Sequence, residues 1–358
     1  MRIDLGAVKR YIDEGLITCR AHPSMPIDIY NYTPRAQYEN KWDHYTSICR
    51  GLIADRDGLV IANPFPKFFN FNTTVETKPE NLPAEMPVIT EKIDGAMGIF
   101  FVENGQCAIA TRGAFESPQA QWATKWIREK GYTPDRFNPA YTYIFEIVFP
   151  GDQHVVQYGD RAECVLLAVR NTDTGQEYDH IAEAKRLGLS YARLFEFKSV
   201  TDIVEYLKTS KGTNEEGFAC RYSNGLRVKV KSEDYLRMHR LFFQTSTLSI
   251  WESLMKTGKL DDIINNAPDE IFQWVKKVEL ELRTAQAKVL ADAEPVYAEA
   301  RKLPGRKEQA EYIKQHASGK SGIVFLLLDR KLSKANEVAW KLVRPVHSTF
   351  RREDVESA

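Results

Sequence analysis

Six charged side chains stand in one order along the chain, each on or beside a run of β-forming residues. The stretch Thr90-Glu91-Lys92-Ile93-Asp94-Gly95-Ala96-Met97-Gly98 ends an apolar run with a lysine, two residues before an aspartate and three before a glycine. Thr111-Arg112-Gly113 follows. Tyr143-Ile144-Phe145-Glu146-Ile147 sets one carboxylate in an apolar strand, where burial is costly unless the acid is paired or metal-bound. Glu216-Gly217-Phe218 opens a further strand, and Val228-Lys229-Val230-Lys231 puts two lysines on one strand face. Singly, each has a plain structural explanation: Lys-x-Asp-Gly is a charged hairpin turn, and lysines mark an edge strand. Together, Lys92, Arg112, Glu146, Glu216, Lys229 and Lys231 are hard to obtain by accident.

The elements that must position these residues are short strands. The pattern predicts them over Ser47–Ala54, Leu59–Ala62, Val88–Lys92, Met97–Val102, Gln106–Thr111, Tyr141–Phe149, Cys164–Val169, Gly217–Tyr222 and Leu226–Lys231. Asp57-Gly58, Asn104-Gly105 and Asn224-Gly225 read as hairpin turns between them. Helices are expected over Asp4–Glu14, Ile181–Leu187 and Val200–Thr209, and from the Ser117-Pro118 start to Lys130. Beyond Arg240 the period becomes helical, as in Ile271, Val275, Val278, Leu282 and Val289. That helix is expected to end or kink at Pro295, with others over Ser246–Thr257, Arg306–Ala317 and Ser333–Leu342.

The 358 residues carry 49 basic and 49 acidic side chains, which excludes a partner held by global charge. The longest apolar runs, such as Ile323–Leu328, are far too short to span a membrane. The five cysteines (Cys19, Cys49, Cys107, Cys164 and Cys220) form no CxxC pair, which argues against a disulfide framework or zinc site and for a reducing, cytoplasmic setting. The N-terminus does not read as a signal peptide. Charge is uneven in the helical part: residues 261–299 carry −5 and residues 301–352 carry +9. Solvated helix faces explain this, and so does a phosphate-binding surface.

The ordered series resembles the covalent nucleotidyltransferases, which include ATP-dependent RNA and DNA ligases and GTP-dependent mRNA capping enzymes. Tyr30-Asn31-Tyr32, Cys49-Arg50-Gly51-Leu52, Lys67-Phe68-Phe69-Asn70 and Tyr235 make it similar to the bacteriophage T4 RNA ligase 1 type, over about residues 25–240. Ala96 stands where a hydroxyl residue is common, and Thr111 before the Arg-Gly is a mild departure.

The resemblance implies an α+β fold: an antiparallel-sheet nucleotidyltransferase domain over residues 1–243, then an all-helical C-terminal domain over 244–358. It implies that Lys92 takes AMP from ATP, passes it to an RNA 5′-phosphate, and that a 3′-hydroxyl displaces it. Nearby cations from Lys229, Lys231, Arg50 and Lys67, plus a metal, would disfavour the ammonium form of Lys92. The implied nucleotide-binding set is Tyr30, Arg50, Lys67, Phe69, Glu91, Arg112, Glu146, Glu216, Lys229, Lys231 and Tyr235. Within it, Phe69, Tyr30 and Tyr235 are candidates to stack on adenine. Asp94, Glu146 and Glu216 are candidate ligands for Mg²⁺ or Mn²⁺. The implied partner is RNA with 5′-phosphate and 3′-hydroxyl ends, met by a monomer. Broken tRNA is a substrate hypothesis, with the helical domain and Arg301, Lys302, Arg306, Lys307, Arg344, Arg351 and Arg352 as the recognising surface. A DNA ligase or capping enzyme would share the motifs but usually continue into a β-rich OB-fold. A non-catalytic nucleotide-binding module would be expected to have lost Lys92 or a motif lysine.

Overall fold

The computed structural model describes residues 1–152, 154–260, 263 and 269–349. It is an α+β structure that divides into two compact units between Leu236 and Arg237, inside the helix Glu233–Gln244.

Three sheets build the first unit. Strands β1 (Ile17–Ala21), β2 (Ile27–Tyr32), β3 (Arg50–Asp55) and β4 (Val60–Ala62) pair in that order. Helices α1 (Leu5–Asp13), α2 (Pro34–Tyr38) and α3 (His44–Ile48) accompany them. Ser47, expected in a strand, belongs to α3, because Asp43 and Thr46 form a capping box that starts a helical turn there.

The second sheet has the order β11-β10-β9-β7-β8. Its strands are β7 (Ala96–Glu103), β8 (Gln106–Thr111), β9 (Tyr141–Val148), β10 (Glu163–Asn171) and β11 (Glu177–Tyr178). One face packs Ile99, Phe101, Ala108 and Ala110 on Ile27, Ile29 and Ile53 of the first sheet. The other packs Phe100, Ile109 and Leu166 on α4 (Pro118–Glu129) and α5 (His180–Leu187).

The third sheet, β12-β6-β13-β14-β5, carries most of the motif residues. It comprises β5 (Phe69–Asn70), β6 (Val88–Lys92), β12 (Leu194–Phe195), β13 (Gly217–Arg221) and β14 (Arg227–Lys231). Ile89, Phe218, Cys220, Val228 and Val230 point back and pack on Ile203 and Leu207 of α6 (Val200–Thr209). Alternation therefore turns Thr90, Lys92, Gly217, Ala219, Arg227, Lys229 and Lys231 to the front. Helix α7 (Glu233–Gln244) follows directly.

The second unit is helical, with helices over Thr247–Thr257, Asp269–Ala300, Arg306–His316, Ser321–Leu328 and Leu332–Leu342. The long helix continues through Pro295 to Ala300. Val296, Tyr297 and Ala300 pack in one cluster with Ile313, Ile323 and Ala335, and that burial outweighs one missing backbone donor. The five cysteines are free thiols. Among the described residues no helix is long and apolar enough to cross a membrane.

Candidate active site

The front of the third sheet floors a cleft of about 560 Å³. In register, Gly217 lies between Lys92 and Lys231, and Ala219 between Thr90 and Lys229. The three lysines thus converge on one face. Glu216, only 2% exposed, sits at the head of β13 and divides its carboxylate between two of them. Its Oε2 accepts from Lys92 Nζ at 2.8 Å and its Oε1 from Lys231 Nζ at 2.6 Å. Gly217 allows that approach. Its φ is +143°, and a Cβ there would lie 2.1 Å from the Val230 carbonyl oxygen.

The opposite wall is β9, where Glu146 is buried and lines the cleft. The Lys-x-Asp-Gly turn presses against this strand: a Cβ on Gly95 would lie 2.5 Å from the Ile147 carbonyl oxygen. Asp94 faces elsewhere. Its Oδ2 accepts from the Val155 and Val156 amides at 2.7 and 3.0 Å, and its Oδ1 from the Tyr235 hydroxyl at 2.8 Å. Asp94 therefore anchors the lysine turn through three donors. Asp94→Ala should cost about 3 kcal/mol by stranding two buried amides, and Asp94→Asn about half of that. Urea midpoints at unchanged m-value measure both.

Without metal or nucleotide, acids and bases balance in the cleft as follows. Burial opposes the Lys92 ammonium, but Glu216, Glu146 and Asp94 outweigh burial and raise its pKa above the ordinary lysine value. In the free protein the carboxylates, not the cations, set the state of Lys92. Lys229 is the opposite case: burial, then Lys231, Lys92, Arg50 and Lys67, push it down to about 7. Burial pushes Glu146 up to about 7 against the pull of Lys92.

The remaining expected residues divide. Arg50 and Arg112 line the cleft; Arg112 Nη1 donates to the Tyr32 hydroxyl at 3.0 Å, and burial lowers the pKa of Arg50. Glu91 also lines it, but its carboxylate is held by the Arg193 guanidinium at 2.8 Å and by the Arg193 amide. Lys67 lies outside, its ammonium 4.6–5.4 Å from the ring centroids of Tyr32, Trp42 and Phe69. Neither Phe69 nor Tyr235 is among the cleft lining. Tyr30, 4% exposed, packs with Ile17, Cys49 and Leu52. The rings that line the cleft are Phe65 and Phe68. Sequence reasoning also missed Asn31, Leu167 and Arg227 in the lining. A register shift between Tyr30 and Asn31 breaks the alternation that would have found Asn31.

Two buried carboxylates stand beside the lysines: Glu146 lines the cleft, and Glu216 is held by Lys92 and Lys231. That set suits a magnesium-like ion, which takes one or two protein carboxylates and completes its shell with phosphate oxygens and water. Among the described residues no three His, Cys, Asp or Glu side chains are grouped to hold a metal unaided.

Four of the seven basic-stretch candidates have a described neighbour. Lys302 pairs with Glu299 at 2.6 Å, and Arg306 with Asp329 at 2.8 Å. Arg301 and Arg344 lie over Tyr297 and Trp251. Arg351 and Arg352 lie outside the described residues.

The RNA ligase family profile, of the T4 RNA ligase 1 type, matches residues 48–245, more than half of the chain and all six ordered motif residues. The chain belongs to that family. Among relatives of this RNA ligase family member, a putative RNA ligase of Thermovibrio ammonificans is 28% identical over 264 residues, covering 68% of the chain. A putative bifunctional polynucleotide kinase/RNA ligase of Autographa californica nuclear polyhedrosis virus is 25% identical over 291 residues, covering 72% of the chain. The matches span 65% of the first relative and 40% of the second. A solved archaeal ATP-dependent RNA ligase overlays with a TM-score of 0.49 at 12% identity, over 80% of each chain.

Proposed function

We propose that the protein is an ATP-dependent ligase that joins 5′-phosphate and 3′-hydroxyl ends of single-stranded RNA through a lysyl-AMP and an adenylylated RNA end. The observation that carries this reading is the Lys92–Glu216–Lys231 arrangement facing Lys229 and Glu146 in one cleft. Phe65, Phe68, Leu167 and Ala219 supply an apolar end suited to a base, and the lysines an end suited to its phosphates.

Lys92 Nζ attacks the ATP α-phosphorus; a P–N bond forms and the P–O bond to pyrophosphate breaks. Glu216 Oε2 is within reach of the proton that Nζ must lose. Lys229 and Lys231 hold the α-phosphate and offset charge growing on the leaving group, with Arg50 on the outer phosphates. A Mg²⁺ or Mn²⁺ ion at Glu146 and Glu216 would neutralise further phosphate charge. AMP then moves to the RNA 5′-phosphate, and the 3′-hydroxyl displaces it. Recognition of broken tRNA by the helical unit belongs to the same proposal, as does a monomeric, cytoplasmic enzyme.

Incubation with α-labelled ATP or GTP, followed by a denaturing gel and then by 5′-phosphorylated RNA, tests the reading. Covalent label from ATP alone that passes to RNA is the expected result. Label from GTP would favour a capping-type enzyme. No label, after pyrophosphate has stripped any AMP already bound, would favour a binding module.

Lys229 gives the binding step a pH signature. Phosphates favour its protonated form, so above pH 7 nucleotide binding must draw a proton onto it. ATP affinity should fall by up to about tenfold per pH unit between pH 7 and 9. Calorimetry at pH 8 in buffers of different ionisation enthalpy should show that proton uptake, and Lys229→Arg should abolish it.

A further inference from the structure

The charged face of β14 does not stop at the lysines. Arg227, Lys229 and Lys231 alternate with buried Val228 and Val230, so the front carries three cations in a row. Arg227 pairs across the hairpin with Arg221 of β13, on the same face. Arg170 of β10 completes a guanidinium trio around one carboxylate, Glu177. Arg227 Nη2 lies 2.5 Å from Glu177 Oε2, Arg221 Nε 3.4 Å from the same oxygen, and Arg170 Nε 3.9 Å from Oε1. A second cavity, of about 720 Å³, opens on this trio and shares Phe65, Phe68 and Arg227 with the nucleotide cleft. Lys67 and Glu76 offset each other in its lining, so one carboxylate faces three guanidiniums.

We propose that this second cavity binds a phosphodiester of the RNA strand, with Arg221 as its principal free-moving contact. The proposal rests on the RNA-ligase reading. Half-buried guanidiniums in excess over carboxylate need an anion, and their planar forks suit a phosphate. A nucleotide's own phosphates do not supply it. Arg227 stacks on Phe65 at the apolar base end, four positions along β14 from Lys231, about 13 Å of strand. A phosphate at the arginines while another occupies the lysines calls for a polynucleotide. Arg170 is tied down by the Asn63 and Gly175 carbonyl oxygens, and Arg227 stacks on Phe65 at 4.2 Å. Arg221, with 29% of its side chain exposed, is the member able to turn to a ligand.

The test uses the full chain, a 5′-phosphorylated single-stranded RNA of about 20 nucleotides, and affinities at several salt concentrations. Arg221→Gln should weaken binding about five- to tenfold and reduce the log–log salt slope by roughly 0.7, the value for one phosphate contact on a single strand. Self-adenylation from ATP should be unchanged. Arg221→Lys should keep most of the slope, which separates lost charge from a damaged sheet. Wild-type affinity and slope in Arg221→Gln would overturn the proposal while leaving the ligase reading intact. A raised KM for ATP with unchanged RNA binding would assign the phosphate to the nucleotide and also overturn it. Wild-type protein that takes no label and binds no RNA would overturn the ligase reading, and the second site with it.

Discussion

Lys92→Ala is expected to lose all covalent label from ATP, and ATP-dependent sealing should fall by at least about a thousandfold, since no second amine can replace a covalent nucleophile. Lys92→Arg should be equally inactive, because a guanidinium stays protonated at any working pH. The decisive arm is an RNA already carrying a 5′-adenylate. Sealing that end needs no lysyl-AMP, so Lys92→Ala should still join it at a measurable rate. Loss of this step as well would give Lys92 a structural role. Gross misfolding is not expected, because Glu216 keeps Lys231 as a partner and Lys92 is partly exposed. Without its main cationic neighbour, Glu146 should titrate higher than about 7.

Gly217→Ala should have the second largest effect, on stability and activity together. The substitution meets a positive φ and a carbonyl oxygen 2.1 Å from the new Cβ, so β13 must move away from β14. Strain and lost pairing should cost about 3 kcal/mol, or roughly 6–12 °C in Tm for a unit of this size. The displaced Glu216 should no longer hold both lysines, so adenylation should drop even well below the new Tm. Gly105→Ala is the control. It too has a positive φ, +77°, but nothing lies within 4 Å of the added carbon. It should cost about 1 kcal/mol and leave adenylation unchanged.

What the sequence revealed and what it hid follow from periodicity. Val228 and Val230 alternate with Lys229 and Lys231 in an uninterrupted strand, so the facing of the lysines could be read directly. Glu146, alone among buried apolar neighbours on β9, could be read in the same way. Tyr30 could not. The bulge after it resets which side chains face the cleft, and its ring fills a core while Asn31 faces the nucleotide side. Phe68 immediately precedes the two-residue strand that starts at Phe69, too short for any period to show which ring turns inward. β1 escaped notice because four of its five residues are exposed and carry no alternation. Trp42 and Tyr32 close around Lys67 from elements far apart in sequence, a juxtaposition that spacing does not encode.

Asp94 shows a different limit. Its place two residues after the lysine was legible, but its partners, the Val155 and Val156 amides and the Tyr235 hydroxyl, come from two distant segments. The spacing places the acid beside the motif lysine but does not show the donors that hold it.

The divided carboxylate of Glu216 has a further consequence. An ammonium has no lone pair, so while Lys92 stays charged it is inert to any electrophile. An ordinary lysine is deprotonated in only about one molecule in 2,500 at pH 7, and Lys92 is held above that pKa. Bicarbonate-derived carbon dioxide, acyl phosphates and aldehydes, which consume free amines, should spare it in the resting protein. A phosphate that draws Lys231 away would unmake half of the clasp just when a productive electrophile is in place. On the proposed reading, the carboxylate that takes the proton from Lys92 also protects that amine from every other electrophile.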